Sequence, residues 1–162
     1  MKHTLTCRIK DKPGVLSIIA NSFRDEGINI QSVAVSITEG YEEARMTIVI
    51  PDDERERDIE ELAEHLMAMD EVIEVEDLAG EDFIQRELVL IKVEAAPENI
   101  PRITQLLELF DAPVVDIGKE TLTVEFSGPT NKVEALIRLL EEFNIRAVTR
   151  TGVVALKTGD EV

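Results

Sequence analysis

The sequence predicts an α+β fold made of two successive βαββαβ units. Three observations carry this expectation. Apolar residues fill 44% of the 162 positions, enough to build packed cores. Their spacing switches repeatedly between the period of two of a strand and the three-to-four spacing of a helix. The order β-α-β-β-α-β then occurs twice, before and after the polar stretch "LAGEDFIQ" around residues 79–85.

In the first half, "HTLTCRIK" alternates, with Leu5, Cys7 and Ile9 on one side, and reads as a half-buried strand. "DKPG" breaks it. Val15, Leu16, Ile19, Ala20 and Phe23 then share one helical face, and Gly27 ends that helix. "INIQSVAVSI" is a strand with Val33, Val35 and Ile37 on one side. "TEGYEE" is a turn, and "ARMTIVI" alternates until Pro51. Ile59, Leu62, Ala63, Leu66 and Met67 give the clearest helical period in the chain, and "EVIEVEDL" closes the unit as a strand.

The second half repeats the order. "RELVLIKVEA" is a strand. Ile100, Ile103, Leu107 and Phe110 mark a helix that tolerates Pro101 near its start. "PVVDI" and "TLTVEF" are strands joined through Gly118. Val133, Leu136, Ile137 and Leu140 mark the last helix, with Asn131 and Glu134 spaced as a capping pair. "IRAVTRTGVVAL" is one long final strand, bulged at Gly152. Two such units are two tandem ferredoxin-like domains, expected at 1–79 and 84–162. Each leaves a sheet face and edge strands that need cover, so a homodimer is expected.

Charge narrows the partners. The net charge is −17, which opposes phosphate backbones and anionic membrane surfaces. Residues 1–51 are neutral, whereas 52–77 carry thirteen acids against two bases. That segment reads as a solvated helix face suited to solubility rather than docking. A single cysteine, Cys7, fits a reducing compartment. The N-terminus has no apolar secretory region, and no apolar run approaches the ~20 residues that span a bilayer. The expected location is the cytoplasm.

A search for catalytic groups finds none in a working arrangement. His3 and His65 lack Cys or His neighbours at metal-ligand spacing. Cys7 alternates inward as a small core residue. No P-loop, no dinucleotide glycine fingerprint and no nucleophile elbow occurs.

A binding site is better supported. Pro13 and Gly14 suit the centre of a type II turn that opens a helix, whose N–H groups and dipole favour a carboxylate. Asp11 offers a carboxylate for an ammonium group, and Asn29 carries both a donor and an acceptor. The same residues also serve as a cap, a turn and a backbone partner, and spacing alone leaves both readings open. Asn29 lies at the far end of the helix from Gly14, so the two are expected to meet only across a two-fold dimer.

At these residues the chain resembles a known family. "DKPGVLSIIANSFRDEGINIQSVAV" is similar to the opening of an ACT domain, and in particular to that of the small regulatory subunits of acetohydroxyacid synthase (acetolactate synthase). "ARMTIVI", "QRELVLIKVEA", "DIGKETLTVEFSGPTNKVEALIRLL" and "TRTGVVALKTG" resemble later parts of that family, in the same order. The resemblance implies a non-catalytic subunit that binds a catalytic large subunit using thiamine diphosphate, FAD and magnesium. It implies activation of that partner and feedback inhibition by valine or another branched-chain amino acid. It places the effector between ACT domains of a dimer, at Asp11, Gly14, Val15, Leu16, Asn29 and Ile30. The backbone at 14–16 would take the carboxylate, and Asn29 would orient the polar groups. Val15, Leu16 and Ile30 would line the aliphatic side chain. Asp11 departs from family members that carry Asn there. The rival expectation is a stand-alone ACT-type amino-acid sensor acting on a different enzyme.

Overall fold

The computed structural model describes residues 3–37, 42–52 and 56–159. The chain forms two compact units. The first takes the described parts of Met1–Ile84 and Val153–Val162, and the second is Gln85–Gly152. The expected turn "TEGYEE" lies mostly outside the described residues.

In the first unit, strands β1 (His3–Lys10), β2 (Ser32–Ile37), β3 (Glu43–Ile50) and β4 (Val72–Asp77) pair antiparallel in the order β2-β3-β1-β4. Helices α1 (Val15–Asp25) and α2 (Glu56–Met67) pack on one face. Leu5, Cys7 and Ile9 from β1 meet Met46, Ile48 and Ile50 from β3 beneath Ile19, Phe23, Ile59, Leu62 and Leu66. This is the ferredoxin-like arrangement that the alternating and helical periods predict. Met67, placed on the apolar face of α2 by spacing, is half exposed in the last residue of the helix. Glu60, Glu61 and Glu64 face solvent, as expected for the acidic helix.

Helix α1 ends as its sequence dictates. Gly27 takes φ 71, and its N–H donates to Arg24 C=O (3.1 Å) while Ile28 N–H donates to Phe23 C=O (2.9 Å). That pair of bonds is a Schellman end, with buried Ile28 beside buried Phe23.

The second unit repeats the topology. Strands β5 (Phe83–Glu94), β6 (Val114–Ile117), β7 (Thr121–Gly128) and β8 (Ile145–Arg150) run in the order β6-β7-β5-β8. Helices α3 (Ile100–Phe110) and α4 (Thr130–Leu140) cover one face, followed by a 3-10 turn at Glu141–Phe143. The repeat extends to irregularities. The register shifts between Arg8 and Ile9 in β1, and between Lys92 and Val93 in β5.

One local expectation is corrected. Asn131 and Glu134 do not form a capping pair. The residue before α4 is Pro129 in an extended conformation, and Asn131 Oδ1 instead accepts from the N–H of Lys132 (2.9 Å). The final strand is interrupted at Gly152, which takes φ 83, and resumes as β9 (Val154–Lys157), which pairs with β5 as β8 does. A left-handed glycine with the pairing continued on both sides fits the bulge that the sequence predicts. The resumed segment belongs to the first unit. There Thr158 N–H donates to Asp82 C=O (3.0 Å), and Lys157 Nζ pairs with Glu76 Oε1 (2.7 Å).

Candidate functional site

The site begins where β1 leaves its sheet. Asp11 N–H donates to Glu42 C=O (2.8 Å), which anchors the start of the loop. Val15 N–H then closes on Lys12 C=O (3.3 Å). Within that turn Gly14 has φ 92 and ψ −13, the third position of a type II turn, directly after Pro13. An added Cβ at Gly14 would meet open space, so only the backbone angle demands glycine. No side chain caps α1, so Asp11 is not its cap. The N–H groups of Leu16 and Ser17 lie in the first turn, where a helix has no acceptor of its own. The first turn also holds no acidic residue to satisfy the dipole.

The six expected residues divide into two groups. Asp11, Gly14 and Leu16 are exposed together at the Lys10 end of the sheet. Val15 is next to them in sequence, but its side chain is only 3% exposed and belongs to the core, so it is not a pocket wall. Asn29 and Ile30 lie at the other end. Ser32 pairs with Val49, and Val49 pairs with Thr4 near the start of β1. Gly14 follows Lys10, six residues further along that strand. At about 3.3 Å per residue, the two groups stand roughly 20 Å apart within one copy. Asn29 is exposed, and Ile30 is half-buried against the core. A single chain therefore does not bring the six residues together.

The edge strand β2 has a feature that alternation alone did not reveal. Val33, Val35 and Ile37 pair with Ile48, Met46 and Ala44, which are buried under the helices. They lie on the same face, yet they are 39%, 45% and 62% exposed because neither helix reaches the edge. Leu16 and Ile18 of α1 add exposed apolar surface. The signal available in the sequence was the absence of any charge in "SVAVSI", unusual for a strand left at an edge.

The remaining reactive groups have structural surroundings. His3 is buried, and its Nδ1 lies 2.6 Å from Asp77 Oδ2. His65 pairs with Glu26 at 3.3 Å on the surface. Burial pushes the Cys7 thiol up to about 12, which keeps it protonated and inert at neutral pH. Among the described residues, no group of three or more His, Cys, Asp or Glu side chains is placed to hold a metal ion. Nor, among them, is any helix long and apolar enough to cross a membrane.

Comparison with known proteins fits this geometry. Residues 5–74 match the model for the AHAS small subunit-like ACT domain, and residues 86–159 match the model for the small subunit of acetolactate synthase. An acetolactate synthase small subunit of Mycobacterium bovis is 40% identical over 157 residues, covering 97% of this chain and 92% of that protein. The chain belongs to the acetolactate synthase small-subunit family. A second family member, the acetolactate synthase small subunit of Bacillus subtilis, is 37% identical over 99% of this chain and 93% of its own. The crystal structure of the acetolactate synthase small subunit from Thermotoga maritima superposes with a TM-score of 0.88 at 31% identity, over 99% of both chains. The first unit is therefore an ACT domain of this family, and the tandem ferredoxin-like fold is common to the two chains.

Proposed function

We propose that this chain is the regulatory subunit of an acetohydroxyacid synthase. It binds a catalytic large subunit, raises its activity and makes it sensitive to valine. The thiamine diphosphate, FAD and magnesium of the reaction are assigned to that partner, and this chain supplies no catalytic group.

The observation that carries the effector reading is the uncovered apolar edge of β2, which ends beside the Gly14 turn. An antiparallel pairing of β2 with β2 of a second copy covers that edge. The Ile37 end of one strand then lies against the Ser32 end of the other. The partner copy's start of β2, with its Asn29 and Ile30, is thereby carried to this copy's Asp11, Gly14 and Leu16. The roughly 20 Å gap within one chain is closed by the two-fold axis. The effector carboxylate lies on the backbone donors after Gly14, and its ammonium lies on Asp11 and Asn29. Leu16 and Ile30 flank a short aliphatic chain. Val15, whose N–H closes the turn on Lys12 C=O, supplies no side chain, and the free donors are the N–H groups of Leu16 and Ser17.

Inhibition is then a linkage effect. Valine binds one state of the complex more tightly than the other, with a coupling of about 1–3 kcal/mol, roughly 5–150-fold. The test mixes the purified chain with its catalytic subunit and measures acetolactate formation with and without valine. Activity rises on mixing and falls with valine. In Gly14→Asp the rise persists and the valine response disappears, because the new carboxylate repels the effector's. If acetolactate formation neither rises nor becomes valine-sensitive, the chain is instead an ACT-type sensor for another enzyme.

A further inference from the structure

We propose that the second unit carries its own site for a free α-amino acid with a short apolar side chain. The site is the cleft between the loop after β5 and the β6–β7 hairpin. It stands on that unit's own residues and does not depend on the reading of the Gly14 turn.

The internal repeat locates the cleft. In the first unit Lys10 N–H donates to Glu71 C=O (2.9 Å), and Asp11 N–H donates to Glu42 C=O (2.8 Å). In the second unit Glu94 N–H donates to Asn144 C=O (3.2 Å), and Ala95 N–H donates to Glu120 C=O (2.9 Å). Ala95 therefore stands where Asp11 stands, and Pro97 where Pro13 stands. At this place the second unit has a cleft of about 340 Å³, lined by Glu94, Ala95, Ala96, Pro97, Lys119 and Glu120. That volume is at the lower end of the ~300–1,000 Å³ of small-molecule pockets.

The lining states what fits. Ala95, Ala96 and Pro97 make a short apolar wall without an aromatic platform. Glu94 is already paired with Arg146. Lys119 and Glu120 are exposed, and among the described residues neither side chain has an ion pair or hydrogen bond. One uncommitted ammonium and one uncommitted carboxylate, adjacent on a hairpin, complement a zwitterion. Lys119 takes the ligand's carboxylate, and Glu120 takes its ammonium. A simple anion would meet the carboxylate of Glu120, and a simple cation the ammonium of Lys119. Unlike the first unit, this site uses side-chain charges and no glycine turn: Glu98 follows Pro97 where Gly14 follows Pro13, its φ is not positive, and Asn99 before α3 is right-handed at φ −93.

The test is an amide NMR titration of the full chain with L-valine, isobutyrate and isobutylamine, in the natural sequence and in Gly14→Asp. Valine should shift the amides of Ala95, Ala96, Lys119 and Glu120 saturably in both proteins. Lys119→Glu and Glu120→Lys should each weaken that response about tenfold, and isobutyrate and isobutylamine should do the same by omission. The double variant, with the two charges exchanged, should recover part of the affinity. Still amides at Ala95, Ala96, Lys119 and Glu120 up to about 10 mM valine overturn the proposal, as does an equal response to isobutyrate. If those amides move while Leu16 and Asn29 do not, this proposal stands and the effector reading of the first unit fails.

Discussion

In the first unit β1 leaves its sheet through a turn with Gly14 at φ 92. In the second unit β5 leaves through Ala95, Ala96 and Pro97 with Asn99 at φ −93. The two connections start from the same backbone hydrogen bonds and enter helices of equal length, eleven residues each. One presents backbone donors at a glycine. The other presents Lys119 and Glu120 beside an alanine wall. A repeated fold thus fixes where a connection emerges, while a few residues decide what chemistry it exposes. The edges differ less. β2 carries Val33, Val35 and Ile37, and β6 carries Val114, Val115 and Ile117, all exposed.

The comparison can be broken most severely through the cores. Leu62 is fully buried in the first unit, and Leu62→Ala should destabilise that unit by about 3 kcal/mol. Hydrogen exchange should quicken at Ile48 and stay unchanged at Val124. Equal acceleration at both amides would show one cooperative structure and remove the basis for treating the units separately.

The next effect belongs to the second unit alone. Arg150 grips Glu87 with two bonds, 2.8 and 2.6 Å, and the Glu87 side chain is 1% exposed. Glu87→Ala should cost about 2 kcal/mol, less than for a fully buried pair because the freed Arg150 reaches water. Urea unfolding followed at Val124 measures it, and an unchanged midpoint would mean that the pair adds nothing.

A third effect belongs to the first unit, which holds the single cysteine. The Cys7 thiol is raised from 9.0 to about 12 in the folded state. Its contribution to stability is complete below pH 9, where both states are protonated. It is lost as pH rises towards 12, because the unfolded chain ionises first. The slope is about 1.4 kcal/mol per pH unit. Unfolding of the natural chain between pH 9 and 10.5 should show this extra slope relative to Cys7→Val, and parallel profiles would contradict it. The smallest effect is Gly14→Ala. The new methyl meets no neighbour, so the strain at φ 92 alone should cost about 1 kcal/mol in thermal unfolding.

Much of this is legible in the sequence. The alternation of Leu5, Cys7 and Ile9 and the helical spacing of Ile59, Leu62 and Leu66 became the buried faces of β1 and α2. Gly27 became a Schellman end, and Pro13–Gly14 a type II turn. What stayed illegible needed contacts. Val15, Leu16 and Ala20 share one face of α1 by spacing, yet only Val15 of the three packs into the core, while Leu16 and Ala20 are exposed. Asn131 has the spacing of a cap, but Pro129 takes the preceding position, and the amide bonds its neighbour instead.

The sequence by itself determined the two βαββαβ units, the glycine turn and membership in the family. The units and the turn follow from local backbone preference and from the period of apolar residues, which act over a few positions, whereas the family rests on the resemblance of whole stretches along the chain. Only the tertiary structure decided how far apart Gly14 and Asn29 stand, roughly 20 Å along one sheet. It also decided that the chain beyond Gly152 is counted with the first unit, and that β2 keeps an uncovered apolar face. Those facts depend on strand order and register, which join residues tens of positions apart and leave no periodic trace along the chain.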